Sequence, residues 1–379
     1  MTKSMFSTTK GRRRKTATPV AARMMAAFVR SALKAPALAL KPARKTKASK
    51  PAAKAKAAPK PKASKPKVAA VTSSVAAPAR PRLVVAPARA SFRTLTHDCA
   101  FGQRRYKIYV PASAGSSADP LPVLVMLHGC GQTPDDFAKG TRMNALAEEF
   151  RMLVVYPAQS REAHPKRCWN WFQPGDQHRG AGEPALLASL TREVLDQYPA
   201  DPARVYVAGL SAGGSAALVL AQAYPELFAA VGVHSGLPVG AAQGKTFALT
   251  AMGQGSPGIP SLHPMPTIIF HGSKDHVVNA RNGRFVAIRA LEPYAALRET
   301  QQKRQVPKGR SYVRTTHRVG QGRAFVEHWL IEGSGHAWSG GSPAGRFTDP
   351  SGPDASRELV RFLLRHKTTL RTRRMTVAA

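Results

Sequence analysis

Val205-Tyr206-Val207-Ala208-Gly209-Leu210-Ser211-Ala212-Gly213-Gly214-Ser215-Ala216-Ala217 sets an apolar strand directly before a Gly-x-Ser-x-Gly turn and an alanine-rich segment directly after it. A serine flanked in this way sits on a sharp strand-to-helix turn, where crossing backbones leave room only for glycine at the two outer positions. The turn presents the hydroxyl at the carboxyl edge of a sheet. The helix that follows turns its positive end toward any negative charge developing there. Ser211 is therefore read as a nucleophile. The pattern Gly-x-Ser-x-Gly is common by itself; the strand before it and the helix after it give it weight.

Outward from this turn, strand and helix signals alternate, which predicts a mainly parallel sheet with helices on both faces. The expected strands are Arg105–Val110, Val123–Leu127, Met152–Tyr156, Val205–Ala208, Ala229–Val233, Thr267–Phe270 and Ala324–Ile331. One helix starts at Pro184, a favoured first-turn residue, and turns Leu186, Leu190 and Val194 inward at a spacing of four. A second follows Ser211 as far as Pro225, and the last runs from Asp354 to His366 with Leu359, Leu363 and Leu364 inward. Gly236 to Pro266 and Pro293 to Gly322 show no clear periodicity, and segments of that length are functional lids or disordered insertions.

A serine hydroxyl is a weak nucleophile until a base takes its proton, and the base needs a carboxylate to hold its tautomer. In the α/β-hydrolase fold these three groups follow in the chain order serine, acid, histidine. The strand ending at Phe270 runs into His271-Gly272-Ser273-Lys274-Asp275-His276, which puts Asp275 on a carboxyl-edge loop as the acid. The final strand runs into Gly333-Ser334-Gly335-His336-Ala337-Trp338, a small-residue loop that offers His336 as the base. His276 and His328 compete for that role, but the first lies beside the acid and the second within a strand. His271, Asp275 and His276 lack the further ligands a metal would need, so neither metal nor cofactor is expected. Acyl transfer also requires two N–H donors for the oxyanion. Ala212 supplies one, and Cys130 in the loop His128-Gly129-Cys130-Gly131-Gln132 supplies the other.

The 379 residues carry a formal net charge of +36, from 57 Lys and Arg against 21 Asp and Glu. Residues 1–93 hold 24 of the basic side chains and no acidic one; residues 94–379 hold 33 basic and 21 acidic side chains, a net of +12. A tract so charged and so rich in Ala, Lys and Pro buries too little to offset its ordering entropy. The expected organisation is a disordered basic tail over 1–93, a catalytic domain over 94–368 and a short basic tail over 369–379. The first tail is expected to be rich in polyproline II, with nucleic acid or an anionic surface as its partner. Residues 20–34 read as solvated tail or as a short basic surface helix with Met24 and Phe28 on one side. Arg23, Arg30 and Lys34 interrupt every apolar run that would serve as a secretion signal, and no stretch is apolar for the length of a transmembrane helix. Cys99, Cys130 and Cys168 are too few for a disulfide scaffold and leave the compartment open.

Taken together, five pieces resemble the polyhydroxybutyrate depolymerase family of esterases, which also includes feruloyl and acetylxylan esterases. They are His128-Gly129-Cys130, Cys168-Trp169-Asn170-Trp171-Phe172, Gly209-Leu210-Ser211-Ala212-Gly213-Gly214, His271-Gly272 with Asp275 and Val278, and Gly335-His336-Ala337-Trp338-Ser339-Gly340-Gly341. They fall within residues 104–366. The resemblance implies an extracellular or periplasmic serine hydrolase acting on carboxylic esters, with short acyl esters or 3-hydroxybutyrate oligomers as substrates. A feruloyl- or acetylxylan-type esterase, a peptidase, and a polyanion binder carrying a vestigial hydrolase domain are the alternatives. The basic tract stands outside the resemblance, and no polymer-binding module is read beyond the last helix. Trp169, Trp171 and Phe172 form either the floor of an acyl pocket or aromatic core, with Trp338 beside the base. Cys130 and Cys168, in loops the proposed fold brings to the rim of the site, are either disulfide-bonded or two buried thiols.

Overall fold

Leu121-Pro122-Val123-Leu124-Val125-Met126-Leu127 is apolar without alternation, as a strand covered on both faces should be. In the computed structural model, which describes residues 89–115 and 119–369, all seven are buried. The two basic tails, with the segment 20–34, lie outside the described residues apart from their inner ends. This central strand, β3, belongs to a ten-stranded sheet with β1 (Ser91–Cys99), β2 (Gly102–Val110), β4 (Leu153–Pro157), β5 (Ala200–Leu210) and β6 (Ala230–His234). The other members are β7 (Thr267–Gly272), β8 (Arg298–Gln305), β9 (Ser311–Arg318) and β10 (Ala324–Ile331). The order is β1-β2-β4-β3-β5-β6-β7-β10-β9-β8. Strands β4 to β10 in that order run parallel, and antiparallel pairs close both ends.

Alternate residues of β3 feed two cores. Val123, Val125 and Leu127 pack with Leu187, Leu190 and Val194 of α3 (Gly182–Gln197), Ala217 and Leu220 of α4 (Ala212–Ala223) and Val286 of α6 (Arg281–Leu291). Leu124 and Met126 pack on the opposite face with Phe137 of α1 (Pro134–Thr141), Met143 of α2 (Met143–Glu149) and Leu359 and Phe362 of α7 (Ala355–Leu363). All seven expected strands are present, and the helices expected after Pro184, Ser211 and Asp354 are α3, α4 and α7. Leu359 and Leu363 are buried, and Leu364 packs half-buried against the same core.

The two aperiodic segments need correction. Gly236 to Pro266 contains α5 (Lys245–Gln254), which buries Ala248 and Ala251. Pro293 to Gly322 is neither lid nor disordered insertion, because most of it forms the β8–β9 hairpin that extends the sheet beyond β10. All eight residues of β8, Arg-Glu-Thr-Gln-Gln-Lys-Arg-Gln, are exposed, so its sequence contains no apolar alternation to read. Strand β1 escaped for the same reason: only His97 within it is buried. A charged, fully exposed edge strand also discourages pairing with another chain.

Candidate active site

Strand β5 ends at Leu210 and α4 begins at Ala212, leaving Ser211 on the turn with φ 58° and ψ −123°. A residue with a Cβ holds such a backbone only when its surroundings enforce it. Here the Ser211 N–H donates to His234 O at 2.8 Å, and the Ser211 carbonyl accepts from Ser215 N at 3.0 Å. A Cβ on Gly209 would stand 2.3 Å from Gly213 O, and one on Gly213 would stand 2.1 Å from Leu127 O. Both glycines are therefore required by the closeness of the turn to the end of β3.

Strand β7 delivers Asp275 and β10 delivers His336. Nδ1 of His336 lies 2.7 Å from Asp275 Oδ2, while Asp275 Oδ1 accepts from the N–H groups of Val277 and Val278 at 2.9 Å each. Burial alone would raise the Asp275 pKa, but His336, His271 and the Val278 N–H together outweigh it and hold it down at about 2. His271 braces the carboxylate further: its Nε2–H donates to Val278 O at 2.8 Å and lies 3.5 Å from Asp275 Oδ2. An ionised partner keeps the His336 proton on Nδ1, which leaves a lone pair on Nε2. That Nε2 is buried and has no hydrogen-bond partner among the described residues. Of the competing histidines, His276 is exposed and His328 lies within β10. No three potential metal-ligating side chains cluster among the described residues.

In the loop after β3, the Gly131 N–H donates to Lys166 O at 2.8 Å, the Gln132 N–H to Gly129 O at 3.2 Å and the Gly129 N–H to Gln132 Oε1 at 2.9 Å. The amides of Cys130 and Ala212 have no such acceptor among the described residues. Gln132 is itself held by Asp136 Oδ2 and Arg346 O. Cys130 is joined to Cys168 by a disulfide across a Cα–Cα distance of 4.3 Å, and Cys99 is free. The bond ties the loop after β3 to the aromatic segment.

The tryptophans divide. Trp169 is wholly buried with its Nε1–H on His128 O, and Trp338 is 2% exposed with its Nε1–H on Ser356 Oγ. Both rings are packed into the cores, Trp338 edge-to-face against Phe137. Trp171 is also buried, edge-to-face against Phe172.

One residue that sequence reasoning missed is His234, at the end of β6. Its carbonyl takes the Ser211 N–H, and its Nε2 accepts from Ser339 N at 3.0 Å, three residues past His336. Phe270 stacks on its ring at 5.8 Å and Trp338 at 5.0 Å. Burial pulls its pKa down to about 3, so the ring stays neutral and Nε2 stays an acceptor. The His336 loop is pinned a second time by Asp349, which accepts from Ser334 Oγ at 2.6 Å and pairs with Arg310 in the β8–β9 turn. A third group lies under the aromatic segment. Glu183 accepts from Asn170 N, Asn170 Nδ2 and Gln159 Nε2, and burial nevertheless pushes its carboxyl up to about 7.

A family profile described as Esterase PHB depolymerase matches residues 104–308. Poly(3-hydroxyalkanoate) depolymerase C of Paucimonas lemoignei is 30% identical over 272 residues, covering 67% of this chain and 64% of that protein. Feruloyl esterase B of Thermothelomyces thermophilus is 34% identical over 138 residues, covering 36% of this chain and 45% of that protein. The chain thus spans less than two thirds of the length of either relative. Among solved structures, an acetyl xylan esterase from Aspergillus awamori superposes with a TM-score of 0.53 at 22% identity, covering 65% of this chain and 94% of that one. That likeness is one of fold, and the fold is that of the α/β-hydrolases.

Proposed function

The chain belongs to the PHB depolymerase family of esterases, and from that membership we propose that it hydrolyses carboxylic esters through an acyl-enzyme, with Ser211, His336 and Asp275 as its triad. The observation that carries this reading is the His336–Asp275 hydrogen bond of 2.7 Å, which leaves Nε2 without a partner on a chain whose Ser211 is held at a strained turn. His336 Nε2 takes the Ser211 proton as Oγ attacks the ester carbonyl, and the N–H groups of Cys130 and Ala212 receive the oxyanion. The tetrahedral species expels the alcohol, which takes the proton from His336. Water then enters by the same steps in reverse order and frees the acid.

Short acyl esters and 3-hydroxybutyrate oligomers are the proposed substrates, on the strength of what the relatives are named for. The turn, the carboxylate and the base are the same for a feruloyl or acetyl ester, so the substrate series decides. Purified protein is assayed on p-nitrophenyl esters of increasing acyl length beside 3-hydroxybutyrate dimers and trimers. An extra methylene in an apolar pocket changes kcat/KM by only about 10- to 200-fold, so a graded optimum between about two and about six carbons is expected. An optimum at about twelve carbons or beyond would exclude a compact pocket. The disulfide supports an oxidising compartment. The 24 uncompensated basic side chains of residues 1–93 support a polyanion as partner of that tract.

A further inference from the structure

A cleft of about 620 Å³ lies beside the oxyanion loop, sharing His128 and Gln132 with it and lined on other sides by Arg104, Gln159, Arg161 and Arg167. Arg104 is 5% exposed. Its Nη1 donates to Ala158 O at 3.3 Å and to Gln159 Oε1, while its Nε is buried with no partner. No ion pair joins Arg104 to a carboxylate among the described residues. Glu183 and Asp176 act on it only from a distance, the first through Gln159, and its guanidinium lies 5.6 Å from the centre of the Trp169 ring.

A buried cation without an anion beside it is costly unless something supplies the charge. The rim adds to the demand. Arg161 and Arg167 have no carboxylate partner among the described residues, and Asp135 is already paired with Lys107, which leaves Glu162 as the opposing acid. His128 contributes no charge: its Nε2 accepts from Gln159 N at 3.1 Å and burial holds its pKa at about 4. The cleft is thus a positive, partly enclosed volume built around an under-bonded guanidinium.

We infer that this cleft is an oxyanion subsite whose ligand is the carboxylate on the leaving-group side of a hydroxyacid oligomer, with Arg104 as its principal donor. The ligand's identity rests on the proposed ester hydrolysis; the anion site itself does not. An oligomer of hydroxyacids cleaved at one ester bond carries its free carboxylate on the alcohol half, the half that departs. A guanidinium near the oxyanion loop recognises that end and discriminates oligomeric acids from neutral esters. Inorganic phosphate shares the chemistry and serves as the second arm of the test.

The full chain is titrated calorimetrically with 3-hydroxybutyrate and with phosphate, and kcat/KM is measured on the 3-hydroxybutyrate dimer as free acid and as methyl ester. A hydrogen-bonded charge pair predicts a preference of about tenfold or more for the free acid, and a similar weakening of 3-hydroxybutyrate binding in Arg104→Gln with partial recovery in Arg104→Lys. The acid-to-ester ratio is taken within each variant, so a general loss of activity cancels. If Arg104→Gln does not fold, the double variant Arg161→Gln/Arg167→Gln is read the same way, with a loss of about threefold. Equal turnover of acid and ester by an active enzyme overturns the subsite and leaves ester hydrolysis standing. Binding of 3-hydroxybutyrate through Arg104 by a protein that cleaves no ester upholds the subsite and sinks the hydrolytic reading. Tight phosphate binding without carboxylate binding overturns the carboxylate assignment.

Discussion

A serine with φ 58° is a commitment the chain makes at one residue, and its neighbours explain why it holds. Ser211→Ala keeps the Cβ and the backbone bonds, so it should melt like the wild type while kcat falls by roughly 10³-fold or more. Labelling by a fluorophosphonate should vanish with it; labelling that persists at another serine would remove Ser211 from the reaction. Asp275 makes a different prediction, because its pKa falls from 3.8 to about 2 on folding. A lowered acid pKa contributes stability above the unfolded value, and that stability is lost as pH falls through the folded one. Asp275→Asn should therefore lose about 2 kcal/mol near neutrality, and the gap from the wild type should narrow between about pH 4 and about pH 2 in a denaturation series. The positions of Ser211, Asp275 and His336, and the pairing of the last two, were legible in the sequence because a local turn and a chain order mark them. His234 was not, since its partner Ser339 lies 105 residues away and nothing around either announces the bond.

At the scale of elements, the disulfide between Cys130 and Cys168 closes a loop with a sequence separation of 38. Chain-entropy reasoning assigns such a closure about 4 kcal/mol. Cys130→Ser/Cys168→Ser should lower the melting temperature and reduce kcat more than KM rises, since the untethered loop carries the proposed oxyanion donor; thiol counting on the denatured wild type should find Cys99 alone. Glu183 gives these same loops a pH response. Its carboxyl rises from 4.5 to about 7 on folding, so the folded state holds its proton more tightly, and the stability this brings below about pH 4.5 is lost as pH rises through about 7. Relative to Glu183→Gln, which does not titrate, the wild type should lose about 3 kcal/mol between those limits. Unfolding curves that stay parallel across the range would mean that the Asn170 and Gln159 donors keep Glu183 ionised. The parallel strands were legible because each carries a run of apolar residues that is largely buried. Strands β1 and β8 were not, because exposed residues fill most or all of their outer positions, and β9, half-buried along most of its length with only Thr316 and His317 buried, lacks the apolar alternation on which sequence reading depends.

For the whole molecule, charge is divided as unequally as chemistry: 24 of the 57 basic side chains precede residue 94, and all 21 acids follow it. Removing residues 1–88 should lower retention on heparin and on duplex DNA and flatten the dependence of binding on salt, while ester turnover is preserved. Retention unchanged by the deletion would locate the binding in the folded part instead. Within that part, His234 has a wider consequence. The proposed nucleophile and base, Ser211 and His336, follow different strands, β5 and β10, with β6 and β7 between them. Independent supports would let each drift as the sheet flexes, and the errors would add. Both loops instead take their position from one residue, the Ser211 turn from the His234 carbonyl and the His336 loop from its imidazole, on which Phe270 and Trp338 stack, much as two machined faces are cut from a common datum. A change in sheet twist then carries Ser211 and His336 along together, and the spacing between them becomes the quantity the fold regulates.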